Sequence, residues 1–336
     1  MSSSSVFNQE QMDFARVAES ALKLYAEDFR GELSLICLSE NATLSIKTNN
    51  RLAYAMRIHR PSYHTADAIA SELAWLSALN DSEIEVPRAI AGIDGRTLQT
   101  VGTADGQIYH LVVFVWINGV QPDLTKNLQP SFRRLGRITA QLHHHARSWT
   151  RPQWFHRQVW DHEGMVSENG HWGPWQNGLH VQAKEIPLIS EAVYKVSKRL
   201  EVYGKDHHRF GLIHADLRLT NLLIDDDLTR AIDFDDCGFS WYMHDLAAAV
   251  SFHEDHADMP SWVENWLTGY TDAHELSKDD LMIIPSLIVQ RRLQLLAWTG
   301  THSNTQTAAT CDEKWFADTV NLCKKYLAND TLITSA

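Results

Sequence analysis

Residues 210–250 read FGLIHADLRLTNLLIDDDLTRAIDFDDCGFSWYMHDLAAAV. The side chains in this stretch that can do chemistry are His214, Asp216, Asn221, Asp233, Asp235 and Asp245. Carboxylates and one amide at these spacings suit phosphoryl transfer, a reaction catalysed mainly by positioning and by neutralising charge spread over phosphate oxygens. It needs a carboxylate where a nucleophilic hydroxyl arrives, to orient the hydroxyl and take its proton. It also needs oxygen ligands for Mg²⁺, a hard cation that keeps part of its water, so one asparagine and one aspartate suffice beside the phosphates.

The spacing meets those needs through local structure. Asp216 and Asn221 share one predicted loop. Residues 222–224 then predict a strand, the DDD at 225–227 a solvated turn, and residues 230–232 a returning strand. Such a hairpin brings Asp233 back beside Asn221 without any long-range assumption.

The elements that must position this stretch are read from periodicity. Phe14, Val17, Ala18, Ala21, Leu22 and Tyr25 recur at helical spacing within residues 9–29, and Gly31 follows as a stop. Strands are predicted over 33–38, 42–47 and 52–58, with Asn49-Asn50 as the turn between the last two. Thr65 is the N-cap of a helix reaching about residue 79. Strands at 97–101 and 108–117 follow, and a helix over 131–149 opens a mostly helical remainder. The prediction is an α+β chain of two lobes, a small β-rich one over 1–117 and a larger, mainly helical one over 118–336, hinged near 115–121.

The stretch at 212–236 resembles the aminoglycoside phosphotransferase and choline kinase-like superfamily, and is most similar to the bacterial branch of type II homoserine kinases and a stress-response kinase. The resemblance covers nearly the whole chain. It implies a protein-kinase-like bilobal fold, with nucleotide held by the N-terminal lobe and catalysis and acceptor binding in the C-terminal lobe. It also implies ATP and Mg²⁺ as cofactors. By this resemblance Asp216 is the catalytic base, Asn221 and Asp233 hold Mg²⁺, and His214 and Asp245 brace the catalytic loop. Asp235 is a further candidate ligand for the metal or its water. Ser39 and Asn41 fall in SENAT at 39–43, where the superfamily places its phosphate-covering loop, although the glycine pattern of protein kinases is absent. Arg57 stands at the usual position of the phosphate-binding lysine, with Glu72 as its acidic partner. Arginine pairs with phosphate as a bidentate fork and is not a neutral replacement for lysine. Backbone groups of Val115 and Ile117, in VVFVWING, are the expected contacts to the adenine edge.

Five of the twelve tryptophans crowd residues 149–175, and Trp160, Trp172 and Trp175, with Trp241 beyond the metal motif, are candidates to face an acceptor. An alkylammonium group would suit them through cation–π attraction, although packing of the segment onto the helical lobe explains the same residues. His143-His144-His145 is not read as a metal site, because successive helical positions diverge by about 100°. His253-Glu254-Asp255-His256 is one residue short of the zinc-protease spacing. Arg291-Arg292, inside the apolar run LIVQRRLQLLAW, is assigned to lobe packing or the surface, and the family resemblance offers contact with the acceptor as the alternative.

Composition narrows the function classes. A formal net charge of −12 supplies no general attraction to nucleic acid or anionic membranes. Four scattered cysteines form no Cys-x-x-Cys pair and fit a reducing compartment. No secretory leader or spanning segment is read, so a cytoplasmic protein is expected. The expected partner is a small hydroxylated molecule such as an amino alcohol, hydroxy amino acid or aminoglycoside-like compound. The alternatives are a protein Ser/Thr kinase of the stress-response type and a non-catalytic nucleotide-binding scaffold.

Overall fold

The computed structural model describes residues 3–49, 51–61, 63–226 and 228–329. Asn50 of the predicted Asn49-Asn50 turn and Asp227 of the predicted DDD turn lie outside the described residues. The chain forms two compact units, Met1–Asn118 with Arg151–His156, and Gly119–Thr150 with Arg157–Ala336.

The first unit is built on an antiparallel sheet. Its strands are β1 (Glu32–Leu38), β2 (Asn41–Thr48), β3 (Arg51–His59), β4 (Ala89–Ile90), β5 (Gln99–Gly102) and β6 (Ile108–Val115). They run in the order β1-β2-β3-β6-β4, and β5 also pairs with β6. Alternation decides which face is covered: Ala42, Leu44 and Ile46 of β2 and Met56 and Ile58 of β3 all point into the core. Helix α1 (Ser3–Leu22) packs its 3.6-period stripe, Phe14, Val17, Ala18 and Ala21, into the same cluster. It ends earlier than the predicted helix at 9–29, because the chain turns at residues 23–25 and then forms a short 3₁₀ turn, Glu27–Phe29. Helix α2 (Ala66–Asp81) begins where Thr65 predicts, with the threonine side chain accepting a hydrogen bond from the Ala68 N–H. Residues 151–156 join this unit, and the His156 N–H donates to Ser71 Oγ at 2.8 Å.

The second unit is mainly helical. Its elements in chain order are α3 (Gln129–Ser148), α4 (His162–Val166), α5 (Ile186–Tyr203), β7 (Phe210–Ile213), β8 (Leu222–Asp225), β9 (Leu228–Ala231) and β10 (Gly238–Trp241). They are followed by α6 (His244–Ala249), α7 (Met259–Thr271), α8 (Lys278–Thr301), α9 (Gln306–Thr310) and α10 (Glu313–Ala328). Strands β8 and β9 pair as one antiparallel ribbon, and β7 and β10 as another. Helices α3 and α7 meet at reciprocal glycines: a Cβ on Gly136 would stand 2.0 Å from the Trp266 carbonyl oxygen, and one on Gly269 2.0 Å from that of Arg133. Helix α8 starts on a capping box made by Ser277 and Asp280. It is buried without interruption from Ile283 to Thr299, as expected of a helix enclosed on every side. Among the described residues no helix is long and apolar enough to cross a membrane.

Candidate active site

The β8–β9 hairpin does what its sequence requires. Leu222 pairs with Ala231, and the Ile232 N–H then donates to the Asn221 carbonyl at 2.9 Å. Asp233 follows immediately, exposed and with φ +67, in the left-handed region that aspartate and asparagine tolerate better than most residues. The structure therefore brings Asn221 and Asp233 to the same end of one hairpin.

Asn221 also joins Asp216. Its side-chain nitrogen donates to the Asp216 backbone carbonyl at 2.9 Å and to Oδ2 at 3.2 Å. With its nitrogen given to Asp216, the Asn221 side chain offers its oxygen to a cation. The donor set is thus one amide oxygen and one exposed carboxylate. It fits a hard divalent ion whose other ligands are phosphate oxygens and water.

Asp216 is held by two guanidinium groups. Arg291 Nη2 donates to Oδ1 at 2.5 Å, and Arg218 Nε donates to Oδ2 at 3.1 Å. Arg291 belongs to α8 and is 3% exposed. Its other bonds go to Ser251 Oγ at 3.2 Å through Nε and to Gln294 Oε1 at 3.0 Å through Nη1. This corrects the expected placement of Arg291 at the surface, because the side chain is buried within the helical unit and reaches the loop that holds Asp216. Arg292, next in the chain, turns instead to Glu254, Thr319 Oγ1 and the Trp315 carbonyl.

Beneath the loop lies a buried polar network. Asp245 Oδ1 accepts the Ala215 N–H at 2.8 Å, while Oδ2 accepts the His214 N–H at 3.2 Å and His143 Nε2 at 3.0 Å. Ala215 has φ +70, a conformation costly for alanine, and these bonds hold it there. His143 Nδ1 lies 2.9 Å from the Tyr270 hydroxyl, so a neutral imidazole protonated on Nε2 satisfies both partners. Burial lowers the His143 pKa despite the carboxylate beside it. Burial alone would raise the Asp245 pKa, but the hydrogen bond from His143 helps carry it below the ordinary range. We take the pair as an ionised Asp245 and a neutral His143. His214 Nε2 bonds the Ile232 carbonyl at 3.1 Å, and its ring packs on Phe234 at 4.4 Å, tying the loop to the end of β9.

Asp235 is 7% exposed, and its backbone carbonyl accepts from Arg157 Nη2. Arg157 Nε also donates to the Cys237 carbonyl at 2.5 Å, and Trp160 Nε1 to the Asp236 carbonyl at 2.8 Å. The aromatic segment is stitched in this way to the loop after Asp233. The candidate acceptor-facing tryptophans are corrected here. Trp160, Trp175 and Trp241 are 1–2% exposed and Trp172 is 8% exposed, so none presents a ring to a ligand. Trp160 packs on Trp172 at 5.0 Å, and the Trp241 N–H is used by the Gly204 carbonyl. Packing onto the helical core explains all four.

Within the first unit, Arg57 of β3 and Glu72 of α2 form a buried ion pair, with Nη2 at 2.6 Å from both carboxylate oxygens. The guanidinium also lies over the Phe114 ring at 5.2 Å. Ser39 lies in the β1–β2 turn, where its N–H donates to the Asn41 carbonyl at 2.9 Å and its carbonyl accepts from Arg60 at 2.7 Å. Asn41 opens β2 and is buried. The Val115 N–H is committed to the Arg88 carbonyl at 2.9 Å, which restricts any base contact from this residue to its own carbonyl. Ile117 lies beyond β6, which ends two residues before the predicted strand does.

Three residues around the site were not legible in the sequence: His143, which holds Asp245; Arg157, which holds the 235–237 backbone; and Arg218, which holds Asp216. The available signal was a charged or histidine side chain inside an otherwise apolar pattern, which marks a buried pairing without saying with whom.

An antiparallel sheet unit followed by a helical unit carrying this loop defines a kinase-like fold, and solved structures of that class superpose on the chain. The structure of a microcompartment-associated aminopropanol kinase matches with a TM-score of 0.87 and 40% identity, covering 95% of this chain and 100% of that one. An amicoumacin kinase in complex with AMP-PNP, Ca²⁺ and Ami matches with a TM-score of 0.77 and 17% identity, over 96% of this chain and 95% of that one. The amicoumacin kinase of Bacillus subtilis (strain 168) is 24% identical over 300 residues, 86% of this chain and 84% of the relative. Residues 38–278 match the phosphotransferase enzyme family (APH). The chain belongs to that family and is a small-molecule kinase, a phosphotransferase with an alcohol group as acceptor.

Proposed function

We propose that this kinase transfers the γ-phosphoryl group of ATP, with Mg²⁺, to the hydroxyl of a small amino alcohol. The observation that carries the reading is the joint placement of Asp216, Asn221 and Asp233 by one loop and one hairpin. The amino alcohol is supported by 40% identity to an aminopropanol kinase along nearly the whole chain, and by the net charge of −12, which favours a cationic acceptor. ATP with a divalent ion is supported by the nucleotide analogue and Ca²⁺ in the amicoumacin kinase complex.

In this mechanism Asp216 accepts a hydrogen bond from the acceptor hydroxyl and aligns its oxygen with the phosphorus. As the new O–P bond forms, the proton passes to the Asp216 carboxylate, and the bond to the leaving phosphate breaks with its electron pair going to ADP. Asn221 and Asp233 would hold the metal, which when bound neutralises charge on the phosphate oxygens. Arg57, steadied by Glu72, would serve the nucleotide in the first unit, where Ser39, Asn41 and backbone groups of Val115 and Ile117 remain proposed contacts. The N-terminal part to residue 117 would hold nucleotide and the remainder the acceptor, in a cytoplasmic enzyme.

The test is ATP consumption with Mg²⁺ across amino alcohols, hydroxy amino acids, aminoglycosides and a generic protein acceptor, with Asp216→Asn alongside. Turnover stimulated by an amino alcohol and lost in the variant is expected. Stimulation by a different acceptor alone would overturn the substrate class, and a silent wild type the whole reading.

A further inference from the structure

We propose that Arg291 is a positioning residue for Asp216, fixing the plane of its carboxylate so that an arriving hydroxyl meets an already oriented partner. The proposal rests on the function proposed above and assigns the orientation of its central carboxylate to α8. A guanidinium in the middle of a fully buried helix segment is costly to desolvate, and its bonds must offset that cost. Here three nitrogens reach three different partners: Asp216 through Nη2, Gln294 through Nη1 and Ser251 through Nε. A planar group bonded along three directions has no rotational freedom left, so the Asp216 oxygen it touches is fixed in direction as well as distance.

The neighbours supply the contrast. Arg218 also touches Asp216, but its side chain is 27% exposed against 4% for Arg291, so the two restraints differ in rigidity. Arg292 is equally buried and equally well bonded, but its partners are Glu254, Thr319 and Trp315, none of them in the catalytic loop. A stabilising role is thus available to Arg292 that does not involve Asp216, and the two adjacent arginines separate packing from positioning. Asp216 would orient the hydroxyl in the ground state and take its proton as the O–P bond forms, so the direction in which Arg291 holds the carboxylate matters throughout.

The experiment is steady-state kinetics on Arg291→Ala, Arg291→Lys and Arg292→Ala, with the acceptor that stimulates the wild type. A displacement of the carboxylate by about 1 Å predicts a loss of about 10²-fold in kcat for Arg291→Ala, with the KM for ATP within about twofold of wild type. Added guanidinium ion at non-denaturing concentration should restore part of that loss in Arg291→Ala and nothing in Arg292→Ala. Arg291→Lys keeps the stem and the charge, so it covers the case in which the alanine variant does not fold, and its kcat should still fall at least about tenfold because one ammonium cannot reproduce the three directions. Wild-type kcat in Arg291→Lys, or a folded Arg291→Ala with lost activity and no response to guanidinium, would overturn the proposal. A wild type that consumes no ATP with any acceptor overturns the function and this inference together, whereas an active wild type indifferent to Arg291 overturns this inference alone.

Discussion

His143 and Asp245 are 102 residues apart in sequence and meet at 3.0 Å, both wholly buried, under the loop that carries Asp216. The carboxylate serves the loop backbone on one side and the imidazole on the other, so the long helix α3 is mechanically connected to the site. Replacing His143 by leucine leaves Asp245 buried with a donor missing. We expect a loss of about 3–5 kcal/mol of unfolding free energy, measured by urea titration, with partial recovery in His143→Gln. A change below about 1 kcal/mol would contradict the pairing.

Buried neutral histidines set the acid limit. Burial, with help from the Arg291 charge, pushes the His244 pKa down to about 3, and burial also lowers those of His143, His162 and His253. A folded pKa below the unfolded value of about 6.5 means the unfolded chain binds the proton first. The stabilisation is therefore complete above about pH 6.5 and is lost as pH falls from there through the folded values. Each such site should contribute a slope on the order of 1 kcal/mol per pH unit, read from denaturation midpoints between pH 7 and 4. A flat profile over that range would show that these rings are not held neutral.

Arg57 and Glu72 form the buried pair of the first unit. Glu72→Ala should cost about 3–5 kcal/mol by leaving a buried guanidinium unpaired. Arg57→Lys keeps the charge but loses the fork and the Phe114 contact. It should raise the KM for ATP about tenfold while leaving the KM for the acceptor unchanged, and an unchanged KM for ATP would remove Arg57 from nucleotide binding.

Asp233 permits a separation of backbone from chemistry. At φ +67 asparagine is tolerated, while alanine carries a strain of about 1–2 kcal/mol. Asp233→Asn should fold with wild-type stability and lose about 10²-fold or more in turnover, with a higher metal concentration needed for half-maximal rate. Asp233→Ala should lose stability as well. Full activity in the asparagine variant would take Asp233 out of the metal set.

Trp160→Phe discriminates packing from acceptor contact. Losing the bond to the Asp236 carbonyl should lower stability by about 1–3 kcal/mol and leave acceptor KM unchanged. A raised acceptor KM at unchanged stability would restore the aromatic segment as a binding surface.

The parts of the site legible in the sequence are those made by neighbours along the chain. Asp216, Asn221 and Asp233 are joined by a loop and a hairpin whose strands announce themselves as short apolar runs, and the Thr65 cap and the α1 stripe are equally local. Asp245 and its reach to the loop came through family resemblance, and His143 escaped altogether because nothing local links α3 to α6. Arg291 showed as an anomaly in an apolar helix without showing its partner, 75 residues away. The tryptophans misled because a cluster of large aromatic rings has the same composition whether it faces a ligand or fills a core. Only the burial of each ring decides between them.

Asp216 reaches across 75 residues to Arg291, and Arg157 across 80 to Cys237. Contacts of such separation form late, after local helices and hairpins have settled. A chain emerging from the ribosome with its synthesis halted before α8 would already contain every recognisable motif of the enzyme, yet Asp216 would lack its clamp. Competence would therefore arrive only once α8 has been made, and a refolding sample should regain its helical signal before it regains turnover.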